Sequence, residues 1–252
     1  MRKLISLFGL LPILAFGQPF TFTDASWRSS YIANTAVADG TNDLMRLTSS
    51  GPTGLADGKV WTWSAWLKPT DLASSRRIFT IGSSSATQRL RVSINNLSLF
   101  VDARNGAGTT ILSGVPTTLL TADSWNHVHI VCDMASSLVI TLNGSVVSGT
   151  PSTFTNDTID LIGTDFRYTV FGNDASTSAD LYDGAIADMF FDDSSHSDVT
   201  LFRSAAGKPV ELGSIGTGAV FYLKGSGDGF ATNSGTGGAF TLTGALGTTT
   251  PP

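Results

Sequence analysis

The sequence predicts an all-β protein in which two antiparallel sheets pack as a sandwich. Short apolar or alternating runs recur along the 252 residues, separated by Gly, Asn, Asp, Ser and Pro, and this is the pattern of strands joined by short turns. Hydrophobic residues make up 41% of the chain and charged residues 14%, so Ser, Thr, Asn and Gly must supply most of the surface polarity. Helical periodicity is nearly absent. One short helix is predicted at Ser197–Ala205, because Ser197 can cap its start and Gly207-Lys208-Pro209 can end it.

The predicted strands follow one another with short connections. In chain order they are Phe20–Thr23, Leu44–Leu47, Val60–Lys68, Arg77–Ile81, Arg89–Ile94, Leu97–Asp102, Thr109–Leu112, Trp125–Asp133, Leu138–Leu142, Thr158–Ile162, Ala185–Phe191, Val220–Lys224 and Phe240–Leu242. The strand Trp125–Asp133 carries apolar or aromatic residues on both faces, as expected of a central strand that is covered on both sides. Asn143-Gly144 predicts a hairpin, because this dipeptide supplies the two positive-φ positions of a type I′ turn.

The first residues have the pattern of a secretory signal. Arg2 and Lys3 precede the apolar run Leu4–Phe16, and small residues lie just before Gln18. Residues 1–17 are therefore predicted to be a leader that is cleaved, and the alternative is a strand or anchor that the mature protein keeps. The run is short for a bilayer, so no stable membrane span is predicted.

The rest of the chain is predicted to form one domain, residues 18–246, because no internal repeat or clear linker divides it. Its Gly- and Thr-rich end still contains Phe240 and Leu242, which are spaced like a last strand. Residues 247–252 are expected to be a frayed tail.

Charge and cysteine content exclude several classes of partner. The net charge is −5, and no basic cluster in the sequence is larger than Arg76-Arg77 or Arg89 with Arg91. A phosphate backbone would find little to bind, so no nucleic-acid partner is expected. Cys132 is the single cysteine, which rules out an internal disulfide and favours a buried, inert thiol.

The acidic residues argue against catalysis. Glu211 is the only glutamate, whereas glycosidases use a pair of placed carboxyl groups. Asp188 and Asp192 share a predicted strand face and form the one two-carboxylate site that can be constructed, although surface acids at a strand end are the simpler interpretation. His127 and His129 also share a face, but no third metal ligand lies near them, which favours a structural pair. The chain is predicted not to be an enzyme.

A series of segments resembles laminin-G-like domains of the pentraxin and concanavalin type, over roughly Thr23 to Asp193. The segments that carry the resemblance are Asp39–Leu44, Trp61–Pro69, Arg89–Val101, Leu120–Val128, Leu138–Gly144 and Gly184–Phe191. Residues Leu201–Leu246 resemble the C-terminal part of laminin-G-like proteins that tailed phages encode. The resemblance implies a jelly roll of two antiparallel sheets that binds glycans or proteins, often with a calcium ion.

Calcium prefers several carboxylate and carbonyl oxygens. The predicted ligands of such an ion are Asp39, Asp43, Asp183 and Asp188. The family's carboxylate-bearing "IDE" segment reads Ile186-Ala187-Asp188 here, so the central position holds Ala187. The alternative is that these aspartates form Asx turns.

Sugar binding needs aromatic rings beside short polar groups on an exposed sheet or loop rim. The predicted ligand-binding residues are Trp27, Tyr31, Arg104, Tyr168 and Tyr182, with Phe171, Asn105 and Asn173 as further candidates. The tryptophans inside strands are expected in the core; they are Trp61, Trp63, Trp66 and Trp125.

The first functional hypothesis is a secreted or cell-surface binding module for a glycan or a surface protein. The alternative is a structural component of a virion surface that contacts capsid or tail proteins. A secreted polysaccharide hydrolase is the third hypothesis, which the acidic residues disfavour.

Overall fold

Strands with one apolar face assemble into two antiparallel sheets that enclose the core between them. The structure is a computed structural model, and it describes residues 31–72, 75–83, 88–95, 98–114, 120–147, 149–172 and 180–252. The predicted leader and the predicted strand Phe20–Thr23 lie outside the described residues.

Sheet A has seven strands in the order β1-β13-β3-β8-β9-β10, with β14 also paired to β13. Its strands are β1 (Thr35–Asp39), β3 (Val60–Pro69), β8 (Asn126–Asp133), β9 (Ser137–Leu142), β10 (Ser145–Val146), β13 (Asp183–Asp192) and β14 (Phe221–Leu223). Sheet B has eight strands in the order β11-β7-β6-β5-β4-β12-β2-β15. Its strands are β2 (Leu44–Ser49), β4 (Arg76–Ser83), β5 (Gln88–Asn95), β6 (Ser98–Arg104), β7 (Thr110–Gly114), β11 (Thr153–Phe154), β12 (Phe166–Val170) and β15 (Thr241–Thr243). These pairings confirm the predicted two-sheet sandwich.

An aromatic cluster fills the space between the sheets. Phe221 of β14 lies at its centre, with its ring centroid 5.1 Å from that of Phe240 and 5.6 Å from that of Tyr168. Phe191 and Phe79 complete the cluster at 6.0 Å and 6.3 Å from Phe221. The cluster joins both sheets to the last part of the chain, so the C-terminal segment belongs to the core.

Residues 199–235, which we call the C-terminal layer, include β14 of sheet A and also cover part of the outer face of this sheet. Phe202, Leu212 and Tyr222 pack there against Phe190 of β13. The predicted helix at Ser197–Ala205 is only a 3-10 turn, Val199–Leu201, and Asp198 rather than Ser197 caps it. The one α-helix among the described residues is α1 (Ser214–Gly218). The capping residues that suggested a helix start are real, but they begin a single turn. The Asp198 carboxylate accepts a hydrogen bond from the Thr200 N–H and so caps that turn.

The two histidines of β8, His127 and His129, are buried, which agrees with the prediction that they form a structural pair. His127 is fully buried, and its Nε2 lies 3.0 Å from the Ser64 hydroxyl. Burial lowers the pKa of His127 to about 3, so its ring stays neutral.

Cys132 is also buried, as predicted. Asn143 and Gly144 have φ of 51° and 87°, which confirms the predicted hairpin turn.

Three strands were missed and one was wrongly predicted. The missed strands are Thr35–Asp39, Thr153–Phe154 and Phe166–Val170. Thr158–Ile162 is not a strand, because its β-type pairing is a single isolated bridge between Gly58 and Ile159. The Asp57 carboxylate accepts the Leu161 and Ile162 N–H groups, so a side chain replaces the partner strand.

The last residues differ from the frayed tail that the sequence suggested. Val37 and Gly247 exchange two backbone hydrogen bonds of 3.0 and 2.9 Å. The Thr35 hydroxyl donates to the Thr249 carbonyl, and Trp125 donates to the Thr250 carbonyl. The end of the chain is held because the edge strand β1 offers free backbone groups. Among the described residues, no helix is long and apolar enough to cross a membrane.

Candidate functional site

A row of polar side chains crosses the outer face of sheet B at right angles to its strands. Alternate residues of each strand enter the core, for example Leu90 and Val92 of β5, so the residues between them point to the opposite face. The strand register aligns these outward residues directly across neighbouring strands. From β15 to β7 the row reads Thr241, Arg46, Thr169, Thr80, Arg91, Asp102 and Ser113.

Arginines dominate this outer surface, which we call the arginine face. Alternation places six of them on it: Arg46, Arg77, Arg89, Arg91, Arg104 and Arg167. They come from β2, β4, β5, β6 and β12, and no more than two of them lie within three residues of one another in the sequence. The fold therefore assembles an arginine-rich surface that the sequence alone does not show.

Three carboxylates form ion pairs with arginines of the arginine face. Arg91 is paired with Asp102, Arg77 Nε donates to Asp180 over 3.0 Å, and Arg89 Nε lies 3.0 Å from Asp160. Burial raises the pKa of Asp102, and the positive charge of Arg91 partly offsets this rise. Burial lowers the pKa of the Arg77 guanidinium, and Arg91 nearby lowers it further. The nearby carboxylates Asp180 and Asp102 act in the opposite direction and favour the charged guanidinium.

Phe100 lies on β6, which is the last of the arginine-bearing strands toward β7 and β11. It points outward because Leu99 and Val101 on either side are in the core. The Arg91 guanidinium carbon is 5.0 Å from the centroid of the Phe100 ring, within the range of a cation–π contact. A half-buried aromatic ring beside a charged group is an arrangement that sugar rings contact in proteins.

A second candidate site is a cleft on the other side of the sandwich, between the start of the described chain and the C-terminal layer. Its volume is about 410 Å³. Its lining residues are Tyr31, Asn34, Glu211, Lys224, Gly225, Gly229, Thr232 and Ser234. Lys224 forms a 3.2 Å ion pair with Glu211, and the Asn34 side chain donates to the Lys224 carbonyl over 3.1 Å.

Asp188 lies behind this cleft in an unusual environment. It is 6% exposed and has φ of 47°, at a bulge of β13 opposite β3. The Tyr31 hydroxyl donates to Asp188 Oδ1 over 2.7 Å, and Asp188 Oδ2 has no hydrogen-bond partner among the described residues. Burial raises the pKa of Asp188 to about 7, although the Tyr31 hydrogen bond acts in the opposite direction. This carboxyl group is therefore half-protonated near neutral pH.

The structure separates the predicted ligand-binding residues. Arg104 lies on the arginine face of sheet B, whereas Tyr31 lines the cleft over sheet A. Tyr168 and Tyr182 were wrong as ligand-binding residues, because both are fully buried. Their hydroxyl groups donate to the carbonyls of Leu161 and Ala185, so their polar ends are used within the core.

Of the further candidates, Phe171 is also fully buried. Asn105 has a turn role, because its side-chain oxygen accepts the Thr109 N–H and its side-chain nitrogen donates to Asp157. Trp27 and Asn173 lie outside the described residues.

The predicted calcium ligands do not form one oxygen cage. Asp43 uses both carboxylate oxygens as acceptors, from the Asp39 N–H at 2.9 Å and the Ala245 N–H at 3.0 Å. Asp39 accepts from the Thr41 N–H and hydroxyl, which is an Asx turn. Asp183 lies directly opposite Asp39 in the sheet, whereas Asp188 accepts a hydrogen bond from the Tyr31 hydroxyl. The described residues contain no group of three or more metal-ligating side chains and so do not fit a calcium site.

Asp188 and Asp192, the two carboxylates that the sequence suggested as a possible catalytic pair, take part in separate hydrogen-bond networks. Asp188 bonds to Tyr31, whereas Asp192 accepts from Ser194 and lies 2.9 Å from His196 Nε2. The bulge between them rotates the strand, which breaks the alternation that would place them on one face.

A family model and solved structures resemble this chain. The laminin G model described as the concanavalin A-like lectin/glucanases superfamily matches residues 39–199. The chain belongs to this superfamily. No curated protein matches the chain significantly in sequence.

Two solved structures share the fold. A candidate carbohydrate-binding protein of Bacteroides ovatus has a TM-score of 0.60 and 16% identity, over 88% of this chain and 62% of that one. The heptameric SAP-like pentraxin of Limulus polyphemus has a TM-score of 0.53 and 12% identity, over 86% of this chain and 95% of that one. At these identities the likeness shows the fold alone.

The sequence interpretation did not name Phe100 or Arg91 among its candidate ligand-binding residues. A signal for both was present, because Ser98, Phe100 and Asp102 alternate with apolar residues, as do Arg89, Arg91 and Ser93. In each strand the period of two marks which side chains leave the core.

Proposed function

We propose that this protein is a non-catalytic module that binds glycans through the arginine face of sheet B and acts outside the cell. The observation that carries the proposal is Phe100, an aromatic ring on an otherwise polar sheet face, with the Arg91 guanidinium 5.0 Å from its centroid. An apolar ring contributes contact area to the C–H face of a sugar, while neighbouring charged and hydroxyl groups fix its orientation.

Membership of a superfamily that includes lectins supports this proposal. The fold is also shared with a candidate carbohydrate-binding protein. The superfamily includes glucanases as well. The carboxylate of Glu211 lies near enough to Asp188 to raise its pKa, and it forms an ion pair with Lys224.

Phe100→Ala is expected to weaken glycan binding at least about tenfold, because an aromatic hot-spot residue contributes about 1.4 kcal/mol or more. The measurement is a glycan array with the full chain, followed by titration of the strongest glycan. Val146→Ala is the matched control, since Val146 is an exposed apolar residue of sheet A that is 70% exposed. An arm with EDTA tests the calcium prediction, and we expect binding to persist there.

Two results would contradict the proposal. One is an array with no bound glycan, which would favour the structural virion role predicted as the alternative. The other is a glycan that binds Phe100→Ala and the unmodified protein equally well, which would move the site away from the arginine face.

A further inference from the structure

We infer that the cleft beside Tyr31 is a second binding site, which takes a primary alkylammonium group and pairs it with the Asp188 carboxylate. The inference goes beyond the proposed function, because this cleft lies over sheet A whereas the arginine face belongs to sheet B. A primary alkylammonium group is carried by a free alkylamine or by a lysine side chain.

An unsatisfied oxygen of Asp188 is the first support. Asp188 is 6% exposed, and buried carboxylates normally accept hydrogen bonds at both oxygens. Oδ1 accepts from the Tyr31 hydroxyl, whereas Oδ2 has no hydrogen-bond partner among the described residues. A buried acceptor without a partner is costly, above all when the group is ionised. The group that fits beside Oδ2 is a hydrogen-bond donor, and a positively charged donor also neutralises the buried carboxylate.

The charges near Asp188 leave it without a counter-ion. Lys224 and Glu211 are the described residues whose charges shift the pKa of Asp188, downward and upward respectively. The Lys224 ammonium is already paired with Glu211 over 3.2 Å and lies 5.3 Å from the centroid of the Tyr222 ring. Two carboxylates therefore share one ammonium group, and the site carries one negative charge when Asp188 is ionised. A ligand with a single positive charge balances it.

Aromatic side chains around Asp188 suit a cation as well. Tyr31 donates to its carboxylate, and Trp66 lines the narrow void beside it. The charge of Asp188 also raises the pKa of Tyr222, so this ring lies close to the carboxylate. Cations are attracted to the faces of such rings. A quaternary ammonium gains this attraction but has no N–H group to donate to Asp188 Oδ2, so a primary ammonium fits the site better.

The Tyr31 side chain is the boundary between Asp188 and the cleft. Its ring lines the cleft, whereas its hydroxyl bonds to Asp188. Glu211 also lines the cleft, and its two neighbours in the sequence line the void beside Asp188. The cleft volume of about 410 Å³ lies within the range for sites that hold small organic molecules. A ligand in the cleft reaches Asp188 when its ammonium group takes the place of the Tyr31 hydroxyl.

The test titrates the full-length, isotope-labelled protein with three probes at pH 8 and follows the amide signals around Asp188. The probes are n-butylammonium, Nα-acetyl-lysine amide and tetramethylammonium, all as chloride salts. We expect at least one of the two primary ammonium probes to bind at least about tenfold more tightly than tetramethylammonium, because a hydrogen bond to a buried charge is lost with the latter. Tighter binding of the lysine derivative identifies a peptide side chain as the ligand, and otherwise a free amine is the ligand. Equal binding of all three probes, or no binding, would overturn the inference.

Two substitutions examine the carboxylate and its present partner. Asp188→Asn should weaken binding of the better primary ammonium probe at least about tenfold, since it removes the counter-ion. Tyr31→Phe should strengthen binding about two- to tenfold, because it removes the hydroxyl that competes with the ligand for Asp188. A merely structural role of Tyr31 predicts weaker binding instead, and that result would contradict the inference.

A third substitution tests the cleft itself. Gly229 lines the cleft, and a Cβ atom at this position meets nothing within 4 Å. Gly229→Leu therefore fills the cleft without a clash, and binding should weaken at least about tenfold because the probe and the leucine side chain occupy the same space. Gly218→Leu is the matched control, because a Cβ atom there also meets nothing within 4 Å and Gly218 lies at the end of α1, away from the cleft lining. Unaltered binding by Gly229→Leu would place the site elsewhere.

The pH dependence of binding identifies the counter-ion. Burial raises the pKa of Asp188 to about 7, and the ammonium group of the probe stays protonated up to about pH 10. Affinity should therefore rise up to about tenfold per pH unit between pH 5 and 7 and level off above that range. Tyr31 and Tyr222 stay neutral there because burial raises the pKa of each, and Glu211 remains the partner of Lys224. An affinity that does not change between pH 5 and 8 would exclude Asp188 as the counter-ion and overturn the inference.

Discussion

Replacing Phe221 by alanine is expected to lower the free energy of unfolding by about 3–5 kcal/mol, the range for a buried Phe→Ala change. Phe221 is fully buried and its ring contacts Phe79, Phe191, Tyr168 and Phe240. These partners come from β4, β13, β12 and the approach to β15, so one truncation leaves a cavity that faces both sheets. Such a cavity cannot collapse without moving strands of each sheet.

Urea unfolding, followed by tryptophan fluorescence, measures this effect. Phe154→Ala is the matched control, because Phe154 is only partly buried at the edge strand β11, and we expect a markedly smaller loss. A change of less than about 1 kcal/mol for Phe221→Ala, the size of an ordinary point substitution, would mean that the C-terminal segment is not part of the core.

Asp188 is expected to make the protein less stable as the pH rises from about 4 to about 7. The ordinary pKa of this carboxyl group is 3.8, and burial raises it to about 7 in the folded protein. Between these values the folded protein holds a proton that the unfolded chain has released, so stability falls with increasing pH and levels off above pH 7. A rise of about three units corresponds to a loss on the order of 4 kcal/mol.

Asp188→Asn should remove most of this fall, which thermal unfolding at a series of pH values detects. Asparagine suits the test because it tolerates the positive φ of 47° at this position, whereas alanine would add backbone strain. Tyr31→Phe should move the fall to higher pH, since the lost hydrogen bond had lowered the pKa of Asp188. Asp133→Asn is the control, because exposed Asp133 has its pKa lowered by the Ala135 N–H. An unchanged pH profile in Asp188→Asn would show that another group titrates in this window.

Much of the sandwich follows from local sequence. Strands such as Val60–Pro69 and Asn126–Asp133 were predicted within a residue or two at each end, because their apolar runs and flanking turns are strong. The missed strand Phe166–Val170 alternates Phe, Tyr and Val with Arg167 and Thr169. Its polar half belongs to the arginine face and made the segment look like a loop. For that reason Tyr168 was assigned to a ligand rather than to the core.

The candidate site was less predictable, for two physical reasons. The arginine face depends on strand order, since β12 lies between β2 and β4 in the sheet although it follows them far along the chain. No local pattern encodes that neighbourhood. Asp188 depends on a bulge that turns its side chain away from the regular alternation of β13, so the sequence could not show that Tyr31 is its partner.

The most direct test of the binding surface is nuclear magnetic resonance of the isotope-labelled protein during titration with the strongest glycan of the array. We expect the side-chain Nε–H signal of Arg91 and the amides of β5 and β6 around Phe100 to shift together and saturate. Signals from the cleft around Tyr31 and Lys224 should stay in place. Shifts confined to that cleft, or to sheet A, would contradict the assignment of glycan binding to the arginine face.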